Sequence, residues 1–460
     1  MIRLTAAFLA VGTLLLASQE RRPVALVVTG GTVVTMDGAR VLAPGAVAID
    51  GRDIVAVDTP GEVASRFHAR ETIDASGDVV LPGLVNAHTH APMVLYRGLA
   101  DDLALMDWLQ NYIFPAEAKT VSPEFVRAGT RLAALEMIQS GTTTYADMYY
   151  FEEEIARTTK EAGLRGVLGQ TIIQFPAPDA KTPADALARA ERFIREFARD
   201  ELIVPAVAPH SMYTLDAAAL KSSRALADRE GVPLLIHLAE TRDEVTIARK
   251  QHEASPVGYL DSLGFFGPRT LAAHGVWLTD ADIRLLARRG VSISHNPESN
   301  MKLASGAAPV PATRRAGIPV GIGTDGAASN NDLDMFEAMR QAALLQKLQT
   351  GDPRAIPASV ALEMATIEGA RALGMAREIG SLVAGKRADL IVVSMSSARQ
   401  TPMYDPISHL VYATRGDDVK TTIVNGRVLM RDRKVLTLNE AAVLREARAL
   451  AARVRAAVGR

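Results

Sequence analysis

The chain has 460 residues, of which 48% are hydrophobic and 22% are charged, and its formal net charge is −1 at pH 7. This size and apolar content allow a large buried core, and a single barrel of roughly 250 residues or more takes up most of such a chain. The balanced charge, with no basic block, argues against a nucleic-acid partner. There is no cysteine, which excludes disulfides, thiolate nucleophiles and cysteine-ligated zinc.

The first 20 residues have the pattern of a secretory signal. Arg3 precedes the apolar run LTAAFLAVGTLLLAS, which the polar stretch QERRP follows. The run holds about 14 apolar residues, fewer than the roughly 20 that a membrane-spanning helix needs. We therefore expect residues 1–20 to be a signal peptide for export to the periplasm or the outside, with no stable membrane span. The alternative is a cytoplasmic protein with an N-terminal extension.

Short segments rich in valine and isoleucine lie at both ends of the remaining chain. GAVAIDGRDIVAVD comes early, and ADLIVVSM and TTIVNGRVLMRDRKV come late. The dipeptides at 50–51 (Asp-Gly) and 425–426 (Asn-Gly) are typical hairpin turns. The two flanks predict one small β-sandwich built from residues 23–81 and 381–436. Residues 437–460 have the arginine-rich pattern of a packed surface helix.

The middle of the chain, residues 82–380, alternates short apolar runs with helical patterns. Eight such runs with intervening helices predict an α/β protein with a (β/α)₈, or TIM, barrel. The second run is polar for a barrel strand. One intervening helix has a predicted N-cap at Ser122 and ends at Gly141. The runs are GLVNAHTH, GTTTYADMY, LRGVLGQTII, LIVPAVAPH, VPLLIHLAE, TLAAHGV, GVSISHNP and IPVGIGTD.

Six of the nine histidines fall at or near the carboxyl end of a predicted strand. Barrel enzymes build their active sites from these strand ends, whereas histidines scattered through a core would not meet on one rim. We therefore expect an active site at that edge of the barrel. The six residues are His88, His90, His210, His237, His274 and His295.

Four residues on this rim predict a metal site. His88 and His90 lie two apart in the first strand and point to the same face, and His237 ends the fifth strand. Asp325 ends the eighth strand, which neighbours the first in a closed barrel. Three imidazoles and a carboxylate suit Zn²⁺ with one position left for water. No lysine ends the fourth strand to bridge a second metal, so we expect one zinc per subunit, with another divalent metal such as Fe²⁺ as the alternative.

Further side chains on the rim indicate catalysis. Glu240, three residues after His237, can carry a proton to a leaving group, although a surface position opening the next helix is the alternative. His274 ends the sixth strand and can orient the attacking water or stabilise developing charge. His210 follows the fourth strand and can contact the substrate. We interpret His295 as structural.

The order of the rim motifs resembles that of the amidohydrolase superfamily, and within it the 5-methylthioadenosine/S-adenosylhomocysteine deaminases. Triazine hydrolases and guanine or cytosine deaminases share much of the pattern. The resemblance extends over the chain after residue 23. It is carried by LPGLVNAHTHAPMVLYRGLADD, SGTTTYADMYY, APHSMYTL, IHLAET, AAHGVWL, SHNPESNMKL, GIGTDGAASNNDLDMFEAMR and GKRADLIVV.

This resemblance implies a metal-dependent aminohydrolase that acts on C–N bonds of a small heterocyclic substrate. It implies that Glu240 shuttles the proton, that His274 orients the water and that Asp325 accepts the water proton. It places Glu117 at ribose hydroxyls and His210 at a second substrate contact, with Glu240 and Asp325 also facing the substrate. The implied zinc ligands are His88, His90, His237 and Asp325.

Two enzyme hypotheses follow from the resemblance. In the first, water adds to C6 of an adenosine-type nucleoside, ammonia leaves, and the product is the inosine analogue; Glu117 and His210 favour it. In the second, the substrate is a guanine-, cytosine- or triazine-type ring that loses ammonia, an amine or chloride. Gln170 favours the second, because the resemblance implies an arginine there. A non-catalytic binding protein is disfavoured, since it has no use for the proton shuttle Glu240. Both a monomer and a homo-oligomer fit the sequence.

Overall fold

A computed structural model describes residues 21–459 of the chain. The predicted signal peptide lies outside the described residues and stays a prediction, as do export and the domain limits assigned from the sequence. Within the described part, no helix is both long enough and apolar enough to cross a membrane.

Nineteen strands form in the described residues, and they fall into three groups along the chain. The first group is β1 (Arg22–Thr29), β2 (Thr32–Val34), β3 (Val41–Leu42), β4 (Ala46–Asp50), β5 (Asp53–Asp58), β6 (Phe67–Asp74) and β7 (Val79–Pro82). The second is β8 (Leu84–Thr89), β9 (Thr142–Tyr149), β10 (Arg165–Ile172), β11 (Ile203–Pro209), β12 (Leu234–Leu238), β13 (Thr270–His274), β14 (Ser292–His295) and β15 (Val320–Ile322). The third is β16 (Leu390–Val393), β17 (Val419–Val424), β18 (Arg427–Arg431) and β19 (Lys434–Val435).

Helices occupy most of the chain between the strands of the second group. The α-helices are α1 (Pro60–Arg66), α2 (Leu105–Trp108), α3 (Phe114–Thr120), α4 (Pro123–Gln139), α5 (Glu152–Ala162), α6 (Pro183–Phe197), α7 (Ala217–Glu230), α8 (Arg242–His252), α9 (Pro256–Ser262), α10 (Asp280–Arg289), α11 (Pro297–Lys302), α12 (Val310–Arg315), α13 (Met335–Thr350), α14 (Ala358–Met364), α15 (Ile367–Ala372), α16 (Pro406–Tyr412) and α17 (Glu440–Val458). A 3₁₀ helix spans Ala91–Tyr96, and a π-helical turn, Leu109–Ile113, joins α2 to α3.

The barrel consists of β8 to β15, which pair in chain order as parallel strands. These strands coincide with the eight runs predicted from the sequence, so the predicted barrel is confirmed. The two end strands approach each other where they carry the site, because the Asp325 backbone N–H donates to the His88 carbonyl at 2.9 Å. This contact brings the carboxyl ends of the first and eighth strands together.

The polar second strand, β9, is buried along its whole length. Two of its polar side chains are hydrogen-bonded to neighbouring elements: the Tyr145 hydroxyl bonds Thr159, and Asp147 Oδ1 accepts the Ala91 backbone N–H at 2.5 Å. Buried polar groups are tolerated when they are hydrogen-bonded in this way. The unusual composition of this strand therefore reflects contacts with the adjacent segments.

The small domain is a pair of sheets assembled from both chain ends. The strand orders are β5-β4-β1-β6 and β19-β18-β17-β16-β7-β2-β3. Val28 and Ile49 of the first sheet share one buried apolar cluster with Leu390 and Ile423 of the second, which confirms the predicted β-sandwich. Both predicted hairpin turns join antiparallel strands, β4 to β5 and β17 to β18.

Helix α4 shows how local sequence determines where an element begins. The Ser122 hydroxyl accepts the Phe125 N–H at 3.2 Å, and Pro123 takes the first helical position. This is the predicted N-cap. The last helical residue is Gln139, and the chain leaves the helix at Gly141, whose φ of +86° is the left-handed conformation typical of the residue that follows a helix cap.

Candidate metal centre and active site

The four predicted metal ligands converge at the carboxyl edge of the barrel. His88 lies on β8 and His90 directly after it, His237 lies on β12, and Asp325 follows β15. Asp325 Oδ1 lies 3.4 Å from His88 Nε2 and 3.3 Å from His90 Nε2. His90 Nε2 and His237 Nε2 are 3.3 Å apart. Strands far apart in the sequence thus aim one oxygen and three nitrogens at a common point.

Main-chain carbonyls set the orientation of two of these imidazoles. His90 Nδ1 lies 2.7 Å from the Met148 carbonyl oxygen, and His237 Nδ1 lies 2.9 Å from the His210 carbonyl oxygen. A carbonyl only accepts, so each Nδ1 carries the proton and each Nε2 presents a lone pair. Such partners orient histidine ligands in metal sites.

The electrostatics of the cluster favour ligand-competent protonation states. Burial lowers the pKa of His88 to about 4 and the pKa of His237 well below its ordinary value. Burial opposes ionisation of Asp325, but the His88 imidazole, whose Nε2 lies 3.4 Å from Asp325 Oδ1, and the other nearby imidazoles hold the pKa of this carboxyl well below its usual range. Neutral imidazoles and an ionised carboxylate are the forms that bind a metal ion.

This donor set fits a single divalent metal ion. The three imidazoles lie within 4.8 Å of one another at their candidate ligand atoms. His88 Nε2 is buried and makes no hydrogen bond in the described structure, and a buried polar atom with no partner carries a substantial free-energy cost. A metal at this point would satisfy that atom, and three nitrogens with one oxygen are a typical catalytic zinc set.

Glu240 lies beside this cluster on a turn that a second carboxylate holds in place. The backbone N–H groups of Ala239 and Glu240 both donate to Glu244, each at 2.9 Å. Glu240 Oε2 lies 3.7 Å from His274 Nε2. Burial, together with the negative charge of Asp325, raises the pKa of Glu240 well above its ordinary value. The two shifts run in opposite directions, so Glu240 is the more readily protonated of the two carboxyls.

His274 faces both carboxyls from the end of β13. Its Nε2 lies 3.9 Å from Asp325 Oδ2, and its Nδ1 lies 2.9 Å from Asn300 Oδ1. Asp325 is held from its other side, since the Ser299 hydroxyl donates to Asp325 Oδ2 at 2.7 Å. The rings of His274 and His237 are stacked with centroids 5.5 Å apart. The imidazole is thus fixed between the candidate ligands and the two carboxyls.

A cavity opens above these groups. Its floor consists of His90, His210, His237, Glu240, His274 and Asp325. Its roof, which comes from the segment between β8 and α4, consists of Leu105, Trp108, Leu109, Ile113 and Phe114. A concave site with an apolar wall and a few polar groups on one side suits a small organic ligand.

Comparison with known proteins decides the family. The sequence profile of the Amidohydrolase family matches residues 79–429, a span that contains the whole barrel and every residue of the floor. This chain belongs to the amidohydrolase family. The superfamily resemblance read from the rim motifs is thereby confirmed.

Two relatives named as deaminases match almost the full length of this amidohydrolase. The 5-methylthioadenosine/S-adenosylhomocysteine deaminase 1 of Syntrophus aciditrophicus (strain SB) is 47% identical over 429 residues, 93% of this chain and 97% of the relative. The 5′-deoxyadenosine deaminase of Methanosarcina acetivorans is 46% identical over 429 residues, with the same two coverages.

A solved structure agrees with the fold of the amidohydrolase. An adenosine deaminase from Xanthomonas campestris, crystallised with bound zinc, superposes with a TM-score of 0.93 at 41% identity. The match covers 95% of this chain and all of the solved chain. The arrangement of barrel and sandwich is therefore shared between the two proteins.

The two predicted substrate contacts of the amidohydrolase both line the cavity. Glu117, on α3, accepts the Tyr149 hydroxyl at 2.7 Å, and burial raises the pKa of its carboxyl to about 7. His210 packs on His237 with ring centroids 4.7 Å apart, and its Nδ1 lies 3.2 Å from the Thr214 hydroxyl. Both side chains thus lie where a bound ligand would touch them.

Two other residues singled out in the sequence lie away from the cavity surface. Gln170 is fully buried, and its Nε2 donates to Asp179 Oδ2 at 2.9 Å. His295 is also buried, and burial lowers the pKa of its imidazole to about 3. Neither residue lines the cavity, so Gln170 belongs to the wall behind it.

Sequence reasoning missed the groups that orient the site. The Met148 carbonyl, Ser299 and Asn300 were not assigned roles, although Ser299 and Asn300 belong to the quoted motif SHNPESN. That motif follows a predicted rim strand, and this position was the available signal. A backbone carbonyl such as that of Met148 leaves no signal in the sequence.

Proposed function

We propose that this protein is a zinc-dependent hydrolytic deaminase of adenosine-type nucleosides, which converts them to the inosine analogue and ammonia. The observation that carries the proposal is the pair of buried carboxyls beside the metal-ligand cluster: Glu240 Oε2 and Asp325 Oδ2 lie 3.7 Å and 3.9 Å from His274 Nε2. Paired groups whose pKa values are driven apart mark the acid and the base of a site. The names of the relatives that are nearly half identical over most of the chain support the nucleoside substrate.

The ligand set supports a divalent metal, and we propose that it is one Zn²⁺ held by His88, His90, His237 and Asp325. A divalent ion bound there supplies Lewis acidity, which makes water an effective nucleophile at neutral pH. The side chains of the protein then have to move protons and hold the substrate.

The two carboxyls divide the proton transfers between them. Asp325 accepts a proton from the water that adds to C6, while Glu240 donates its proton to the ring nitrogen N1. Asp325 next passes its proton to the C6 amino group, the C6–N bond breaks and ammonia leaves. Glu240 takes the proton of the C6 hydroxyl as the carbonyl forms, which restores both groups. His274, facing both carboxyls, orients the attacking water.

The remaining polar groups of the cavity would position the nucleoside. Glu117 keeps acceptor capacity beyond its bond to Tyr149, because a carboxylate has about four lone-pair sites. It would accept hydrogen bonds from the ribose hydroxyls. His210, on the floor beside His237, would contact the substrate from the opposite side, and positioning of this kind supplies a large part of enzymatic rate enhancement.

Ammonia release by zinc-loaded protein tests the proposal. The panel is 5′-deoxyadenosine, 5′-methylthioadenosine, adenosine, guanine and an aminotriazine, with zinc content measured on the same samples. We expect release from the adenosines only. Release from guanine or the aminotriazine alone would keep an amidohydrolase mechanism and refute the nucleoside substrate, whereas zinc-replete protein inert on every ring would refute catalysis.

A further inference from the structure

The charged side chains that line the cavity are all acidic. They are Glu117, Glu240 and Asp325, and no lysine or arginine of residues 21–459 lines the cavity. A divalent ion held by the histidines would compensate the charge of Asp325 on the floor, where Glu240 carries its proton in the proposed mechanism. It would leave the upper part of the cavity with an acid, Glu117, and no fixed positive charge.

The roof residues that precede Glu117 in the chain are apolar. Ile113 and Phe114 precede Glu117 by four and three residues, so they lie on the same side of the helical segment that carries it. Phe114 also packs against Phe175 with ring centroids 5.0 Å apart. Whatever substituent extends from a sugar held by Glu117 therefore meets aliphatic and aromatic side chains.

Basic residues next to the lining are engaged elsewhere. Lys119 Nζ donates to the Ala457 carbonyl at 3.3 Å. Lys302, which precedes the lining residue Leu303, donates to Asp101 Oδ1 at 2.6 Å. Each cation is thus directed to a partner outside the cavity lining.

The wall behind the cavity is neutralised as well. Gln170 carries no charge and is bonded to Asp179. Asp179 also pairs with Arg189, whose Nε lies 3.3 Å from Asp179 Oδ2, and Arg189 makes a second ion pair with Glu153. This guanidinium is therefore shared by two carboxylates and has no excess charge to offer a ligand.

We propose that the cavity selects nucleosides whose 5′ substituent is uncharged and apolar, such as a 5′-deoxy or 5′-alkylthio group, and disfavours substituents that carry a carboxylate or phosphate. The selection rests on the proposed deaminase function and adds the substrate class to it. Its physical basis is desolvation: an anion placed against apolar walls and an acid loses hydration without gaining a cation. The roof contributes by burying the apolar substituent.

Substrates matched in length test the selection. The specificity constant kcat/KM is measured with zinc-loaded protein for 5′-methylthioadenosine, 5′-butylthioadenosine, S-adenosylhomocysteine and adenosine 5′-monophosphate. The butylthio compound has about the reach of the homocysteine group without its charges. We expect its kcat/KM to exceed that of S-adenosylhomocysteine at least about tenfold, as for a charge buried without a partner. The kcat/KM of the monophosphate should be the lowest of the four. A ratio below about threefold, the size of an exposed ion-pair effect, would overturn the selection while leaving the deaminase function standing.

A second readout separates binding from turnover. Equilibrium dissociation constants of the same compounds, measured by calorimetry on the Glu240→Gln protein, should follow the same order. Equal affinities for the butylthio compound and S-adenosylhomocysteine would overturn the selection. Absence of ammonia from all four compounds in the parent protein would instead refute the deaminase function.

A variant with a cation in the roof tests the cause. Phe114 is half-buried on the apolar side of the cavity, so Phe114→Arg brings a guanidinium to the place where positive charge is lacking. In Phe114→Arg, the kcat/KM for S-adenosylhomocysteine divided by the kcat/KM for 5′-butylthioadenosine should be at least about threefold higher than in the uncharged control Phe114→Gln, as for a partly exposed ion pair. Equal ratios in the two variants would refute the electrostatic cause.

Discussion

At the scale of single residues, the site contains two buried carboxyls whose pKa values shift in opposite directions. Burial and the charge of Asp325 raise the pKa of Glu240. Burial also opposes ionisation of Asp325, but His88 and the other imidazoles outweigh it and lower the pKa of Asp325. The two residues lie 85 positions apart in the chain and meet on either side of His274. This asymmetry gives an acid and a base from the same kind of side chain.

Replacing Glu240 with glutamine tests the acid. The amide keeps the shape but cannot deliver a proton, so kcat for a 5′-substituted adenosine should fall by about 100- to 10,000-fold, the usual contribution of general acid–base catalysis. Zinc content should stay at one per chain. The matched control is Glu62→Gln on the exposed surface of α1, which should keep parental kcat. Near-parental turnover in Glu240→Gln would contradict the proton-shuttle role.

The Ser299 hydroxyl is expected to matter through Asp325. Ser299→Ala removes the 2.7 Å hydrogen bond to Asp325 Oδ2, and the loss of such an orienting partner typically costs about 10- to 100-fold in metal affinity or activity. Zinc affinity, measured by competition with a chromogenic chelator, should fall accordingly. The exposed Ser65→Ala on α1 serves as control. Unchanged affinity and unchanged kcat together would show that Asp325 needs no support from Ser299.

At the scale of elements, the C-terminal helix α17 braces the segment that carries the roof. It packs on α3, α4 and the 3₁₀ helix 91–96. Val454 of α17 is buried, with 3% of its surface exposed. Arg453 of the same helix forms an ion pair with Glu124 of α4 at 3.0 Å. The Ala457 carbonyl accepts a hydrogen bond from Lys119 Nζ of α3. A helix at the far end of the chain thus supports residues that close the cavity.

Val454→Ala tests this brace. The lost side-chain burial should lower the free energy of unfolding by about 1–3 kcal/mol. KM should rise severalfold while kcat changes little, because the floor residues sit on barrel strands that α17 does not carry. Denaturant unfolding and steady-state kinetics measure the two effects, with the exposed Arg448→Ala on the same helix as control. A fall in kcat at constant KM would contradict the brace.

At the scale of the whole molecule, several buried carboxyls make stability depend on pH. Burial raises the pKa of Glu298 to about 9 and that of Asp332 to about 6, and nearby acids add to both shifts. A carboxyl whose pKa is higher in the folded chain than in the unfolded chain favours folding while protonated. That contribution is complete below the unfolded pKa, near 4.3 for glutamate, and is lost as the pH rises through the folded pKa.

The Glu298→Gln variant isolates this contribution. Glutamine has no ionisation to suppress, so the free energy of unfolding of the variant should increase relative to that of the parent as the pH rises from 5 to 9. Urea unfolding in the presence of a chelator measures the difference without metal binding. The surface variant Glu62→Gln should show no such trend. A parent-minus-variant difference independent of pH would mean that Glu298 is not held neutral by the fold.

The fold could be predicted from local patterns in the chain. The eight strand runs, the cap at Ser122 and the hairpin turns depend on side-chain alternation and backbone preferences within a few residues. The candidate metal ligands could be predicted because the strand ends of a barrel meet by topology alone. The polar strand β9 was predicted as the second barrel strand, but local patterns do not explain its polar composition, since its partners Ala91 and Thr159 come from other elements.

The sequence by itself thus determined the barrel, the sandwich, the family and the residues of the floor, because these are encoded in short motifs and in their order. Tertiary structure alone decided which groups orient the candidate ligands, in which direction the pKa of each carboxyl shifts, what covers the cavity and where α17 packs. His90 meets the Met148 carbonyl across 58 residues, and His274 meets Asn300 across 26. Such contacts, and the burial that shifts pKa values, arise from the distances between distant segments, which no local pattern specifies.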